Sequence, residues 1–125
     1  MTGEQILVVE DNDKNMKLIR DVLTARGYLP IEATSGEEAI DLARSERPSL
    51  LLMDVQLPGI TGVEALVRLR ADDRTASIPV LALTAQAMHG DRERFLEAGF
   101  DGYISKPVDI LDLLRTVQEF CERDQ

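Results

Sequence analysis

Apolar and polar residues form a repeating pattern along the chain, in which short apolar runs alternate with longer segments whose apolar residues recur every three or four positions. Short apolar runs bounded by polar residues are typical of strands, and the longer spacing is typical of helices. The pattern predicts five strands, at 5–9, 28–33, 49–55, 77–85 and 101–105. A helix is predicted after each strand, the last one at 109–122. The apolar stripe of this last helix consists of Ile110, Leu113, Leu114, Val117 and Cys121.

Capping and turn residues mark the ends of these elements. Ser35 and Thr61 are each followed three residues later by a glutamate, the spacing of a capping box at the start of a helix. Gly27 and Gly99 are placed to end the first and the fourth helix. Pro30 interrupts the second strand, which predicts that this strand lies at an edge of the sheet.

Strands that alternate with helices form a parallel sheet with helices on both faces, and the crossover connections are right-handed. The predicted fold class is therefore α/β, a three-layer αβα sandwich around a five-stranded parallel sheet. A length of 125 residues suits one domain. We expect a single domain at 1–125 without an effector domain.

The composition indicates a soluble globular protein, with 44% hydrophobic and 30% charged residues. No apolar run approaches the roughly 18 residues that span a bilayer, and the start of the chain lacks a signal-peptide pattern. We therefore expect a cytoplasmic protein that binds no membrane. The single cysteine, Cys121, excludes an internal disulfide. A net charge of −9 argues against binding to nucleic acid, because phosphates would be repelled.

Polar side chains occur at the carboxyl ends of four predicted strands. They are Glu10 and Asp11 after the first strand, Asp54 at the end of the third, Thr84 at the end of the fourth and Lys106 after the fifth. Ligands of open α/β sheets bind outside the carboxyl ends of the strands. A single acid in such a place is usually a turn residue or a helix cap, but polar residues at matching strand ends predict a functional site.

The three carboxylates need compensating charge, because they repel one another and burial adds a desolvation cost. Lys106 supplies one positive charge, and a hard divalent cation supplies the rest. Since no histidine or cysteine converges on these strand ends, we expect Mg²⁺ rather than zinc, with Mn²⁺ as a substitute. Asp54 comes from the most buried strand and is the best candidate for a nucleophile that forms an aspartyl phosphate. The Thr84 hydroxyl would hydrogen-bond the phosphate.

These residues resemble the response-regulator receiver domains of two-component signalling, which have the CheY-like fold. The resemblance is carried by "ILVVEDN", "LLLMDVQLPGITG", "PVLALTAQAM" and "GYISKP", in the order and at the spacing of the family. It implies the flavodoxin-like strand order 2-1-3-4-5. Within the family, "EDNDKNMKL" and "LTAQAMHGD" resemble single-domain cell-cycle regulators of the DivK type, and equally receivers fused to hybrid histidine kinases.

The resemblance implies a role for each residue of the site. Asp54 would accept a phosphoryl group from a phosphohistidine on a histidine kinase or a phosphotransferase. Asp11, Asp54 and the backbone carbonyl of Gln56 would bind Mg²⁺. Glu10, where the family more often has aspartate, would act through bound water. Lys106 would pair with the phosphate.

The resemblance also implies a conformational switch. Thr84 would move toward the phosphate and Tyr103 would turn inward, which alters the surface of the fourth helix, the fifth strand and the fifth helix. A downstream protein would bind this surface or the first helix. The Lys106–Pro107 peptide would be cis.

Gln56 and Gln86 flank the phosphate in this family and would tune the lifetime of the signal. The one histidine, His89, is interpreted as a surface loop residue. Cys121 is interpreted as an inert thiol of the core.

Three other functions fit the sequence less well than this switch. A phosphohydrolase with an external substrate usually needs a second acid two residues after its nucleophile, where this chain has Gln56. A flavin or nucleotide binder needs glycines after the first strand, where this chain has an acidic loop. A binding module without phosphorylation would be favoured if Asp11, Asp54 or Lys106 were missing. We therefore predict a signalling switch rather than an enzyme.

Overall fold

The computed structural model describes residues 3–57, 59–85 and 91–123 as alternating strands and helices. The strands are β1 (Gln5–Val9), β2 (Leu29–Ala33), β3 (Leu50–Asp54), β4 (Val80–Thr84) and β5 (Gly102–Ser105). The helices are α1 (Asp13–Ala25), α2 (Gly36–Glu46), α3 (Gly62–Arg70), α4 (Asp91–Ala98) and α5 (Ile110–Arg123). Each strand and helix that the sequence predicts is present.

The strands form one parallel sheet in the order β2-β1-β3-β4-β5, which confirms the predicted topology. β2 lies at an edge, as Pro30 predicted. The N–H of Leu29 donates to the carbonyl of Glu4 (2.9 Å). Because successive residues of a strand turn their backbone groups to opposite sides, Pro30 faces the open edge, where its missing N–H breaks no hydrogen bond of the sheet.

Helices cover both faces of the sheet, which confirms the three-layer αβα architecture. α2 and α3 pack against one set of alternating strand residues, and α1 and α5 pack against the other set. β3 and β4 are buried along their whole length. These two strands are nearly continuous apolar runs because helices cover both of their faces. Among the described residues no helix is long and apolar enough to cross a membrane.

Side-chain caps begin α1, α2 and α3, and the carboxylate of Asp109 likewise accepts the N–H of Asp112 (3.1 Å) at the start of α5. The hydroxyl of Ser35 accepts the N–H of Glu38 (3.2 Å), and the hydroxyl of Thr61 accepts the N–H of Glu64 (3.1 Å). Asn12 caps α1 in the same way, because its side chain accepts N–H groups of the first turn. Such caps satisfy donors that have no partner within the helix.

The predicted apolar stripe of α5 is wrong at one position. Ile110 is 45% exposed, whereas Leu113, Val117 and Cys121 are buried and Leu114 is half-buried. Ile110 is the first residue of the helix and precedes the turn that reaches the sheet, so it remains exposed. Phe120, which the pattern did not assign to the stripe, is buried instead.

Candidate functional site

The candidate site lies where the strand order reverses. The chain passes from β1 to β2 on one side, and β3 pairs with the other side of β1. This reversal leaves a crevice outside the carboxyl ends of β1 and β3, the place where open α/β sheets bind ligands. Glu10 and Asp11 directly follow β1, and Asp54 is the last residue of β3. The topology therefore brings all three carboxylates to one crevice.

Asp54 is held at the end of a buried strand and is itself only 4% exposed. The N–H of Val55 donates to the carbonyl of Leu83 (3.1 Å), so the pairing of β3 with β4 continues just beyond Asp54. The N–H of Gln56 donates to Oδ1 of Asp54 (2.9 Å). Backbone contacts thus orient one carboxylate oxygen, and Oδ2 contacts Lys106.

Lys106 reaches these carboxylates from the end of β5. Its Nζ lies 2.8 Å from Oδ2 of Asp54, and 2.8 and 3.2 Å from Oε1 and Oε2 of Glu10. Its backbone N–H donates to the carbonyl of Thr84 (2.8 Å), and the Lys106–Pro107 peptide bond is cis. Burial acts to lower the pKa of Lys106, but the hydrogen bonds to Asp54 and Glu10 outweigh it and the pKa is raised. The ammonium group therefore stays charged.

Glu10 is the most buried of the three acids, with an exposed fraction of 1%. Burial, together with a hydrogen bond to the Asp54 carboxyl and repulsion from it, raises the pKa of Glu10 to about 7 against the opposing effect of Lys106. Oε1 forms an ion pair with Nζ of Lys106 at 2.8 Å and accepts no hydrogen bond from the described residues. Such a buried oxygen has an unused lone pair that can bind a cation or accept a hydrogen bond from water.

The carboxylates of Glu10, Asp11 and Asp54 form a cluster that suits a divalent cation. One oxygen from each lies within 4.8 Å of the others. Asp11 is exposed, so the cluster is open to solvent on its side. Sets of hard oxygen ligands are those that Mg²⁺ and Ca²⁺ prefer. These residues therefore fit a hard divalent cation.

Thr84 and Tyr103 lie on neighbouring strands near this end of the sheet. Thr84 is the buried last residue of β4 and pairs with Ser105 of β5. Tyr103 pairs with Ala82, two residues earlier in β4, so the side chains of Tyr103 and Thr84 lie on the same face of the sheet. Tyr103 is half-buried and packs against the core beneath α2 and α3.

The remaining residues that the sequence analysis singled out are a loop residue, two residues outside the described part of the chain, and the cysteine. Gln56 is exposed in the loop after β3. Gln86 and His89 lie outside the described residues. Cys121 is buried in the core that α1 and α5 form with the sheet, in agreement with its interpretation as a core thiol.

Gly62 is a residue of this region that sequence reasoning missed. An ideal Cβ atom on Gly62 would lie 2.6 Å from the carbonyl oxygen of Asp54 and 2.9 Å from Cα of Val55. Both neighbours are backbone atoms, so a side chain cannot be accommodated without moving the chain. The sequence offered a glycine directly after the cap Thr61, at the end of the motif "LLLMDVQLPGITG", but neither feature indicates a close contact with the backbone of Asp54.

The chain matches the response regulator receiver domain family over residues 6–118. It is a member of this family. The polar-differentiation response regulator DivK of Brucella anthropi is 46% identical to this receiver domain over 117 residues, 94% of this chain and 95% of that protein. DivK of Brucella ovis is 45% identical over the same shares of the two chains. The predicted family and the similarity to DivK-type regulators are confirmed.

Solved receiver structures share the whole fold. The receiver domain of a sensor histidine kinase from Pseudomonas aeruginosa, which has a magnesium ion coordinated in its active-site cleft, superimposes with a TM-score of 0.89 at 36% identity. The alignment covers 97% of this chain and 99% of that chain. The chemotaxis response regulator CheY4 of Vibrio cholerae gives a TM-score of 0.89 at 27% identity and covers 95% of this chain and 99% of its own. The CheY-like fold is therefore confirmed.

Proposed function

We propose that this receiver domain is a phosphorylation switch in which Asp54 accepts the phosphoryl group. The observation that carries the proposal is the position of Lys106. Its Nζ lies 2.8 Å from Oδ2 of Asp54 and 2.8 Å from Oε1 of Glu10, which are two of the three carboxylates in the cluster. A buried carboxylate with an ammonium group and a cation site beside it suits the uptake of an anionic group, because fixed positive charge offsets the charge that arrives.

The cation in this proposal is Mg²⁺, with Mn²⁺ as a substitute of the same ligand preference. Asp11, Asp54 and the backbone carbonyl of Gln56 would bind it, and Glu10 would contact it through water. The buried Oε1 of Glu10, which lacks a hydrogen bond among the described residues, supports this assignment. So does the magnesium ion in the active-site cleft of the Pseudomonas receiver. When bound, the cation offsets negative charge on the phosphoryl oxygens.

The protein's own residues would direct the transfer. An Asp54 carboxylate oxygen attacks the phosphorus of a phosphohistidine, a P–O bond forms as the P–N bond breaks, and the electron pair leaves with the imidazole. Lys106 then passes from the carboxylate to a phosphate oxygen. This movement is short because Nζ already hydrogen-bonds Oδ2 of Asp54 (2.8 Å). The Thr84 hydroxyl hydrogen-bonds a second phosphate oxygen.

The readout of the switch would be the surface of α4, β5 and α5. Movement of Thr84 toward the phosphate vacates space on the sheet face that Tyr103 shares, and Tyr103 turns into it. A groove of about 310 Å³ lies beside Tyr103 and is lined also by Leu96, Thr116 and Phe120. A change in the Tyr103 side chain therefore changes the shape of this groove and the affinity for a downstream protein.

The proposed partners are proteins. The donor would be a histidine kinase or a phosphotransferase that approaches α1 and the loops at the carboxyl ends of the strands. Asn12 and Lys14 are exposed there. Gln56 and Gln86 would set how long the phosphate persists. In this function the protein modifies itself and does not turn over an external substrate.

Phosphorylation at Asp54 can be tested with a small acyl-phosphate donor and Mg²⁺. We expect one phosphate per chain that is labile to base and to hydroxylamine, as an acyl phosphate is. Asp54→Asn should abolish the label because the amide is not a nucleophile of this kind, with the mass of the intact protein as the measurement.

The matched control is Asp41→Asn, which removes an exposed carboxylate of α2 and should label like the wild type. Labelling of Asp54→Asn to the same stoichiometry would exclude Asp54 as the acceptor.

A further inference from the structure

We propose that Gly62 is a positioning residue that sets the affinity of the site for Mg²⁺. It would act through the start of the loop between β3 and α3, because α3 begins in direct contact with the backbone of Asp54. The proposal rests on the proposed function, since it takes Asp54 and the Gln56 carbonyl as ligands of the cation.

The first step is the contact itself. Gly62 lies against backbone, with its ideal Cβ position 2.6 Å from the carbonyl oxygen of Asp54 and 2.9 Å from Cα of Val55. Cβ atoms essentially never approach other heavy atoms this closely, and these backbone atoms have no rotamer that would relieve the clash. The side chain of Met53 is also near, with Cγ at 3.3 Å. Any side chain at position 62 would therefore push α3 away from the end of β3.

The second step connects this contact to the proposed ligands. Val55 is bound through both of its backbone groups, because its N–H donates to the carbonyl of Leu83 and its carbonyl accepts the N–H of Gly62, each at 3.1 Å. Gln56 comes next, and its N–H donates to Oδ1 of Asp54 (2.9 Å). A shift at Gly62 is thus passed through one peptide group to Gln56, whose carbonyl is a proposed ligand.

A second glycine holds the same loop from the other side. The ideal Cβ position of Gly36, the first residue of α2, lies 2.7 Å from Cγ1 and 3.0 Å from Cδ1 of Ile60. Ile60 in turn packs against the buried core under α2 and α3. The neighbour here is a side chain that can rotate, so a substitution at Gly36 should disturb the loop less than one at Gly62.

The test measures Mg²⁺ binding separately from folding. We expect Gly62→Ala to raise the Kd for Mg²⁺ about tenfold, the effect typical of disturbing the groups that orient metal ligands. The Kd is measured by titration of the folded protein, at a temperature where circular dichroism shows the native state. The control is Gly27→Ala at the end of α1, a position with φ of +86° before β2. It should lower stability through backbone strain and leave the Kd unchanged.

Gly36→Ala provides a second route if Gly62→Ala does not fold. It should also raise the Kd, by less than the roughly tenfold change expected at Gly62. If every folded variant binds Mg²⁺ like the wild type, the role of Gly62 is excluded while the proposed function stands. If the wild type itself binds no Mg²⁺ at the carboxylate cluster, the proposed function fails first.

Discussion

Glu10 shows how the surroundings of a single side chain decide its chemistry. It directly follows β1, which is buried from Ile6 to Val9, faces a second carboxyl at Asp54, and has Lys106 as its compensating charge. Burial and Asp54 favour the neutral form, whereas Lys106 favours the charged form, and the result is a pKa of about 7. Glu10 therefore changes its protonation near neutral pH when no cation is bound.

This pKa predicts that stability without Mg²⁺ depends on pH through Glu10. The folded-state value of about 7 is above the ordinary value of 4.5, so the folded state binds the proton more tightly than the unfolded chain does. The contribution of Glu10 to stability is complete below pH 4.5 and is lost as the pH rises through 7. In a chelating buffer, the free energy of unfolding of the wild type relative to that of Glu10→Gln should fall as the pH rises from about 5 to about 8, as measured by urea unfolding.

Glu46→Gln serves as the control, because Glu46 is an exposed acid at the end of α2. It should follow the wild-type profile. A difference between wild type and Glu10→Gln that does not change with pH would show that Glu10 remains ionised throughout.

Individual residues differ in how well the sequence predicted them. Glu10, Asp11, Asp54 and Lys106 were predicted as one group because each lies at a strand end, and the order of strands brings strand ends together. Gly62 was not predicted, because its role depends on how closely α3 approaches β3. This distance results from packing and leaves no pattern in the sequence.

At the level of elements, Arg70 connects the amino-terminal end of the sheet to two helices. It is the last residue of α3. Its Nη1 donates to the carbonyls of Ala76 (3.0 Å) and Ile78 (2.7 Å), and its Nη2 donates to the carbonyl of Gly99 (3.2 Å) and to Oδ2 of Asp101 (2.8 Å). One guanidinium group thus joins the end of α3 to the approach to β4 and to the connection between α4 and β5.

Arg70→Ala should lower the free energy of unfolding by about 1–3 kcal/mol, the usual cost of leaving partly buried acceptors without a donor. The network lies at the end of the sheet opposite to the carboxylates, so phosphorylation of the folded variant should be unchanged. Chemical unfolding and labelling with the acyl-phosphate donor measure the two effects.

Arg68→Ala is the matched control, because Arg68 is an exposed arginine of the same helix. It should change stability by less than about 0.5 kcal/mol. Equal losses for the two variants would mean that the hydrogen bonds of Arg70 add no more stability than an exposed arginine of the same helix does.

The elements themselves were predictable because their signals are local. Apolar runs, capping hydroxyls and glycines act within a few residues, and each predicted strand and helix is present. Ile110 was assigned to the core because it continues the apolar spacing of α5. Whether the first residue of a helix reaches the core depends on how the helix lies on the sheet, and the spacing does not contain this information.

For the whole molecule, cation binding at the carboxylate cluster would be coupled to folding. The unfolded chain does not hold Glu10, Asp11 and Asp54 together, so a cation that binds the cluster stabilises only the folded state. Mg²⁺ at about one hundred times its Kd should raise the free energy of unfolding by about 2.7 kcal/mol. Thermal or urea unfolding with and without a chelator measures this increase.

Asp11→Asn should remove most of the increase, because it deletes one carboxylate and hardly changes the size of the side chain. An equal increase in wild type and Asp11→Asn would mean that Mg²⁺ stabilises the protein at other acidic groups. This outcome is included because a chain with a net charge of −9 has many other carboxylates that can attract Mg²⁺.

The sequence by itself determined the alternation of elements, the fold class and the residue types at the strand ends, because these depend on local patterns and on the rules of parallel sheets. The tertiary structure decided the geometry of the site. Lys106 contacts Asp54 from 52 residues away and Glu10 from 96 residues away. The raised pKa of Glu10 and the contact of Gly62 with Asp54 likewise need the folded chain, because burial and close approach are properties of packing and not of any one segment.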